Sequence, residues 1–133
     1  MRTYDMRTID TIILHHTAGN MGGAAIRRMH RSWGWSDIFY HFVVERDGGI
    51  FTGRPLSRPA TQRRPTAVEV AVVGNFVNEP LLSRQRRQVV QLLEILGQRF
   101  SIVNWHNHKE VAATLCPGQL CVRLLRGEVT WQN

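Results

Sequence analysis

The sequence predicts an α+β fold, a single domain whose central mixed β-sheet is flanked by about three α-helices in an α/β/α sandwich. The main observation is the segment order β, α, β-hairpin, β, α, β, α, in which strand-like apolar runs alternate with helical patterns. The chain of 133 residues is long enough for one hydrophobic core and too short for two. A hydrophobic fraction of 43% is that of an ordinary globular domain.

The first half of the chain supplies a strand, a helix and a hairpin. Residues 11–14 are an apolar run that predicts a buried strand delivering His15 at its end. A glycine-containing loop then leads to a predicted helix over residues 21–33, where apolar positions share one stripe. Residues 38–45 are rich in β-forming side chains, and the turn at 46–49 predicts a hairpin into a second short strand.

The middle of the chain supplies a loop, a strand and the longest helix. Residues 54–66 contain three prolines and four arginines, which predicts an exposed basic loop. Residues 68–73 predict a central strand. A helix is expected over residues 83–99, with Ser83 as its N-cap and an apolar stripe facing the core.

The two ends of the chain complete the expected domain, which spans residues 1–133. Residues 102–105 predict a short strand that would place His106 and His108 just beyond its end. Residues 119–126 predict a last helix, and residues 1–9 are expected to be an N-terminal extension of the domain.

Charge and composition restrict the possible partners. The formal net charge is +7, with sixteen arginines and Lys109 as the single lysine, so polyanions such as nucleic acid, anionic membranes or phosphate-bearing bacterial walls are favoured. Nucleic acid is not expected, because aromatic residues do not alternate with the arginines and no nucleic-acid-binding motif is present. No apolar run reaches the roughly 18–20 residues that span a bilayer, so membrane insertion is not expected either.

Two further observations concern the compartment. The first ten residues lack the apolar core of a secretory signal, so we expect synthesis in the cytoplasm without a signal peptide. Cys116 and Cys121 lie five residues apart, and a bridge between them would close only a small loop. A disulfide framework is therefore not expected.

Three dispersed residues are candidate metal ligands: His15, His108 and Cys116. Two imidazoles and one thiolate suit zinc, and three protein ligands leave one coordination position for water, as in catalytic sites. The spacing is compatible with one metal ion. The alternative is that the histidines are packing or surface residues and the cysteine a small buried hydrophobe.

The order of several motifs adds to this pattern. The motifs are Leu-His-His-Thr-Ala-Gly at 14–19, Gly-Trp-Ser-Asp-Ile-Phe-Tyr-His-Phe at 34–42, Arg-Asp-Gly at 46–48, Gly-Arg at 53–54, and residues 108–118. Together they resemble the zinc-dependent N-acetylmuramoyl-L-alanine amidases, which include short phage amidases and animal peptidoglycan recognition proteins. The resemblance implies the fold of those recognition proteins and one zinc ion held by His15, His108 and Cys116. It selects His15 over His16 and His108 over His106.

The resemblance also implies the chemistry. Tyr40 matches the active-site tyrosine of the family, and Thr114 stands where phage members carry lysine and recognition proteins carry threonine. Both hydroxyls are expected to donate hydrogen bonds to a developing oxyanion. The implied reaction is hydrolysis of the amide bond between N-acetylmuramic acid and the L-alanine of the stem peptide.

Glu69 departs from the family pattern, because relatives prefer glycine there and some place a carboxylate at the position of Ala71. One hypothesis makes Glu69 the general base. The alternative is a carboxylate at a sheet edge or facing solvent.

A second departure concerns substrate binding, because the groove histidine of the family has no counterpart in residues 57–61. The expected substrate contacts are His41, Arg58, Arg63 and Arg64. The arginines would bind a stem-peptide carboxylate in bidentate fashion. The alternative is a solvated basic loop.

The function expected from the sequence is that of a monomeric phage or prophage endolysin that acts on bacterial peptidoglycan after its release from the cytoplasm. Its basic surface would add affinity for the wall. The alternative is a recognition module of the same fold that binds peptidoglycan without cleaving it; Cys116 and Tyr40 argue for the enzyme.

Overall fold

A five-stranded β-sheet forms the centre of the fold in this computed structural model, which describes residues 2–4 and 7–118. The elements in chain order are β1 (Arg2–Tyr4), β2 (Arg7–Ile9), β3 (Thr11–His16), α1 (Gly23–Ser32), β4 (Phe42–Val44), β5 (Ile50–Thr52), β6 (Ala67–Val72), α2 (Ser83–Arg99), β7 (Asn104–Asn107) and a 3-10 turn (His108–Glu110). The strand order is β5-β4-β6-β3-β7, and β1 pairs with β2 in a separate hairpin. The four strands from β4 to β7 in that order are parallel, and β5 is antiparallel to β4. The predicted single domain with a mixed sheet and flanking helices is confirmed.

The two helices cover opposite faces of the sheet. On one face, here called the α2 face, the aliphatic side chains of β3 and β6 pack against Val89, Leu93 and Leu96 of α2. On the other, the α1 face, Ile26 of α1 packs with a smaller apolar group that includes Ala71. All six residues of β6 are buried, as expected for a central parallel strand covered on both sides. The predicted helix over residues 119–126 lies outside the described residues.

The N-cap of α2 differs from the prediction by one residue. Leu82 keeps an extended backbone (φ −71°, ψ 146°), and Ser83 is already the first helical residue. The Leu82 side chain cannot cap, but the Gln85 side-chain oxygen accepts the Leu82 N–H at 3.4 Å. Ser83 as the N-cap is therefore wrong, because the transition to helical dihedral angles falls after Leu82.

Two strands also have different bounds from those predicted. The strand expected over 38–45 is limited to Phe42–Val44, although its tight turn into β5 is confirmed by the Glu45 N–H to Gly49 carbonyl bond of 2.7 Å. The strand expected over 102–105 begins at Asn104, which aligns with Thr11 of β3. His106 consequently lies inside β7, and His108 alone of the two histidines follows its end.

The predicted N-terminal extension contains residues that are integral to the domain. Ile9 is fully buried in the core of the α2 face. The Arg7 guanidinium donates to the carbonyls of Leu56, Pro65 and Ala67 at 2.8–3.0 Å. β2 thus fastens both ends of the basic loop over residues 54–66. Among the described helices, neither is long and apolar enough to cross a membrane.

Candidate metal centre

His15, His108 and Cys116 come together at one edge of the sheet. β3 and β7 are adjacent and parallel, so their carboxyl ends meet at the same edge, and His108 begins the turn that follows β7. Potential ligand atoms of the three residues all lie within 4.8 Å of one another. The imidazole centroids of His15 and His108 are 4.5 Å apart. The structure therefore places all three candidate ligands in one cluster.

The neighbouring histidines are engaged elsewhere. His16 Nδ1 accepts the backbone N–H of Phe76 at 3.1 Å. His106 Nδ1 lies 3.9 Å from a Glu110 carboxylate oxygen on a partly exposed surface. The choice of His15 and His108 as ligands is compatible with these contacts.

The imidazole of His15 is held by a buried carboxylate. Its Nε2 lies 2.7 Å from Glu69 Oε1, and because a carboxylate only accepts, Nε2 carries the proton and Nδ1 keeps its lone pair. Burial lowers the pKa of His15 more than the hydrogen bond to Glu69 raises it, so the ring is neutral at pH 7. For Glu69, burial raises the pKa, but hydrogen bonds from His15 and Arg64 outweigh burial and lower it. The carboxylate is therefore ionised.

The other two candidate ligands differ in protonation. Burial, and to a smaller extent the positive charge of Arg64, lowers the pKa of His108 to about 4, so its imidazole is also neutral at pH 7. Burial raises the pKa of Cys116 to about 11, against a hydrogen bond from the His16 backbone N–H to Sγ at 3.2 Å. Without a metal the group is a thiol, and binding of a cation would release its proton. Two neutral imidazoles and one cysteine sulfur form a donor set suited to zinc.

Two hydroxyl groups lie near the cluster. The Tyr40 ring centroid is 5.1 Å from that of His15, and burial raises the Tyr40 pKa well above its usual value, which keeps the phenol protonated. Thr114 Oγ1 accepts the Cys116 backbone N–H at 3.2 Å, so Thr114 belongs to the ligand-bearing loop and its own hydroxyl proton is available to donate.

His41 has a structural position rather than one on the surface. It is 0% exposed, its Nδ1 accepts the Glu69 backbone N–H at 2.9 Å, and its Nε2 donates to the Arg58 carbonyl at 2.7 Å. Burial lowers its pKa to about 4. A substrate contact for His41 does not fit this structure, because the ring is enclosed and both of its nitrogens are hydrogen-bonded.

The three arginines expected to bind substrate have different surroundings. Arg64 forms an ion pair with Glu69, with Nε to Oε2 at 3.0 Å and Nη2 to Oε1 at 3.2 Å. The guanidinium N–H groups that would bind a substrate carboxylate bidentately already bind Glu69, which opposes the expected substrate role of Arg64. Arg58 and Arg63 are exposed.

Glu69 is the residue whose role the sequence left open between two alternatives, and neither fits the structure. It is 0% exposed at the centre of the sheet, so it is not an edge or solvent-facing carboxylate. Both of its oxygens are occupied by Arg64 and His15, which also opposes a role as general base. A signal was present in the sequence: a single carboxylate in an otherwise apolar strand requires a buried partner.

A groove begins beside the cluster. Phe39, whose ring centroid is 5.9 Å from that of His15, borders a cavity of about 410 Å³. Trp35, Ser36, Arg54 and residues 59–62 line the rest of that cavity. Trp35 also packs edge-on against Trp33, and both indoles are exposed. The basic loop and aromatic side chains thus line a cavity that is connected to the cluster through the contact between Phe39 and His15.

A mixed sheet between helices, carrying a His-His-Cys cluster at its carboxyl edge, defines a class of α/β/α domains with a group of candidate metal ligands. Within that class, the chain belongs to the N-acetylmuramoyl-L-alanine amidase family, whose family model matches residues 5–119.

Individual relatives fall into two groups. Peptidoglycan-recognition protein SC2 of Drosophila melanogaster is 30% identical over 137 residues, covering 91% of this chain and 73% of the relative. The endolysin of Escherichia phage T7 is 28% identical over 120 residues, covering 81% of this chain and 80% of the endolysin. Among solved structures, the N-acetylmuramoyl-L-alanine amidase LysC from Clostridium intestinale has a TM-score of 0.84 at 29% identity, covering 98% of this chain and 92% of that chain. Bumblebee PGRP-SA, at 23% identity and a TM-score of 0.80, shows the fold alone.

Proposed function

We propose that this protein is a zinc-dependent N-acetylmuramoyl-L-alanine amidase that cleaves the bond between N-acetylmuramic acid and L-alanine in bacterial peptidoglycan. The observation that carries the proposal is the convergence of His15, His108 and Cys116 within 4.8 Å at the carboxyl edge of the sheet. The family membership and the likeness to LysC support it.

The donor set supports zinc as the cofactor, one ion per chain. Three protein ligands leave a coordination position open, which is the arrangement of catalytic rather than structural zinc. When bound, zinc would supply Lewis-acid polarisation of a carbonyl and activation of water. His15 and His108 are neutral at pH 7 and so available to bind, and Cys116 supplies a negative charge once it has lost its proton.

Tyr40 and Thr114 are proposed as the catalytic hydroxyls. As the amide carbon becomes tetrahedral, negative charge develops on its oxygen, and a donor already in position stabilises that charge. The raised pKa of Tyr40 keeps its proton available for donation. Thr114, held next to Cys116 by its bond to the Cys116 N–H, would be the second donor.

Substrate would reach the cluster along the groove beside Phe39. The exposed Arg58 and Arg63 remain proposed contacts for a stem-peptide carboxylate. The net charge of +7 would add non-specific affinity for anionic wall polymers. We propose that the chain is a monomeric phage or prophage endolysin, made in the cytoplasm and acting on the wall after release.

One observation favours a second candidate, a recognition module that binds peptidoglycan without cleaving it. Ala71 has no carboxylate, and Glu69 is enclosed by Arg64 and His15, so neither residue of β6 is placed to take a proton from water. This candidate predicts binding to the wall with no hydrolysis.

Purified sacculi separate the two candidates. Wild type is expected to contain one zinc per chain and to release free stem peptides, whereas Cys116→Ala is expected to lose both zinc and release. Glu79→Gln, which removes the partly exposed ion pair between Glu79 and Arg46, is the matched control and should behave like wild type. A wild-type protein that holds zinc and binds sacculi but releases nothing would contradict the amidase and establish the recognition module.

A further inference from the structure

We propose that Glu69, clamped by Arg64, is a positioning residue that holds the His15 imidazole in the one tautomer that presents Nδ1 to the metal. This inference rests on the zinc site of the proposed function. It assigns a role to a buried ion pair that the reaction itself does not use.

The register of the sheet places Glu69 behind His15. In the parallel pairing of β3 with β6, Ile13 is opposite Glu69 and His15 is opposite Ala71. Because side chains alternate along a strand, Ile13, His15, Glu69 and Ala71 share the α1 face. Glu69 is opposite the residue two positions before His15, so its carboxylate can extend along the sheet to the His15 ring. It contacts Nε2 at 2.7 Å and leaves Nδ1 free.

The carboxylate is itself held on several sides. Arg64 donates to both oxygens, at 3.0 and 3.2 Å, in the bidentate arrangement that gives an ion pair a fixed direction. The backbone on either side is fastened to His41, which accepts the Glu69 N–H through Nδ1 and donates its own backbone N–H to the Glu69 carbonyl at 2.9 Å. The Arg64 guanidinium also lies 6.0 Å from the centre of the Phe39 ring. These contacts fix both the side chain and the backbone of Glu69, so the carboxylate is held in place against His15.

The clamp decides which nitrogen can bind the metal. A neutral imidazole can carry its proton on either nitrogen, and a hydrogen bond to a carboxylate fixes the proton on the bonded one. Here the bonded nitrogen is Nε2, so Nδ1 is the ligand atom. The carboxylate also makes the imidazole a stronger donor, and loss of such an outer partner typically weakens metal binding about 10–100-fold.

Glu69→Gln tests this with little change in shape. Arg64 would bind the amide oxygen of Gln, which turns the amide NH₂ towards His15 and favours the opposite tautomer. We expect zinc affinity, measured by competition with a chelator, to fall about 10–100-fold. Arg64→Gln leaves the carboxylate in place but unclamped, and we expect a smaller loss. Glu79→Gln, an equivalent change in a partly exposed ion pair away from the cluster, should leave zinc affinity unaltered.

A second measurement reports the tautomer directly. Long-range ¹H–¹⁵N spectra of the zinc-loaded wild type should show His15 with its proton on Nε2 and its metal bond through Nδ1. This readout does not depend on activity and does not require the Glu69→Gln variant to fold.

Two results would overturn the positioning role: unchanged zinc affinity in folded Glu69→Gln, or coordination of wild-type His15 through Nε2. If Glu69→Gln does not fold, Arg64→Gln and the wild-type spectrum decide. Weaker zinc binding in the variants together with a wild type that does not hydrolyse sacculi would support the positioning role and reject the amidase. A wild type that binds no zinc rejects both.

Discussion

The two faces of the central sheet are built from the same strands and serve different purposes. On β6 alternate residues face opposite ways: Val68, Val70 and Val72 on the α2 face, and Glu69 and Ala71 on the α1 face. The α2 face is closed by aliphatic side chains of a long helix. The α1 face contains a buried carboxylate, and the imidazole of His15 lies above it.

This small domain obtains its stability and its candidate chemistry from different kinds of contact. Aliphatic burial on the α2 face contributes roughly 25 cal/mol per Å² of apolar surface and needs no partner of defined geometry. Polar groups on the α1 face are stable only when each finds a hydrogen-bond partner, and here the buried side-chain polar atoms described are all satisfied. We therefore expect substitutions on the α2 face to change mainly the free energy of unfolding, and substitutions near the cluster on the α1 face to change mainly catalysis.

Tyr40→Phe should have the largest effect and should act on catalysis alone. Removing one oxyanion donor typically lowers kcat about 10²–10³-fold, and the ring that packs on the α1 face is kept. Zinc content and unfolding free energy should stay near wild type. The rate of stem-peptide release at saturating sacculi measures the effect. A variant within twofold of wild type would remove Tyr40 from the oxyanion site.

Leu93→Ala should have the converse effect on the α2 face. Leu93 is 0% exposed, and truncating such a side chain typically costs about 2–5 kcal/mol of unfolding free energy. The folded fraction should bind zinc with unchanged affinity. Urea titration measures the loss, and Ile95→Ala, at a residue 51% exposed on the same helix, is the control. A large change in zinc affinity would show that the two faces are coupled.

Acid should destabilise the protein through the α1 face. The pKa of His41 is lowered from 6.5 to about 4, so between these values the unfolded chain binds a proton that the folded one does not. The stability contributed is complete above about pH 6.5 and is lost as the pH falls towards 4, by up to about 3 kcal/mol.

His41→Asn checks this assignment, because its amide oxygen can still accept the Glu69 N–H but does not titrate. Urea unfolding of the metal-free protein from pH 4 to 7.5 should show a slope reduced by up to one proton. Leu93→Ala should shift the same curve downward with its slope unchanged. Equal slopes for wild type and His41→Asn would mean that another group accounts for the acid sensitivity.

Ser83→Asp should have the smallest effect, a gain of about 0.3–1 kcal/mol at the start of α2. The first turn of this helix contains no acidic residue, and Ser83 is exposed, so an added carboxylate meets the helix dipole without loss of packing. Thermal unfolding at low and high salt measures the gain, which salt should reduce. Ser83→Lys should have the opposite sign; a gain from lysine would contradict the dipole argument.

The sequence predicted the α2 face more completely than the α1 face, for a physical reason. Burial along α2 follows the helical period, so its apolar stripe is visible in the sequence, and residues 83–99 are the helix observed. In β6 every residue is buried, so the pattern does not tell which way Glu69 points. The partners of Glu69 depend on the register of β6 with β3 and on the path of the loop that contains Arg64. Neither the register nor the loop path can be read from the residues around Glu69.

The candidate ligands were predictable because His15 lies near the carboxyl end of β3, His108 directly follows β7, and neighbouring parallel strands end at one edge. The surroundings of His41 were not predictable from the sequence, because its two hydrogen bonds, to the Glu69 backbone and to the Arg58 carbonyl, join segments distant along the chain. The N-cap at Leu82 depends on backbone dihedral angles that side-chain preference does not determine.

The bond from the His16 N–H to Cys116 Sγ joins positions one hundred residues apart, so the two ends of the described domain meet at the ligand cluster. Contacts of such long sequence separation form late, because the intervening chain must first be ordered. We therefore expect a partly folded chain to lack the assembled cluster of candidate ligands, even when its α2 face has already formed. Metal binding would thus depend on completed folding and would link the first central strand, β3, to the segment that follows the last strand, β7.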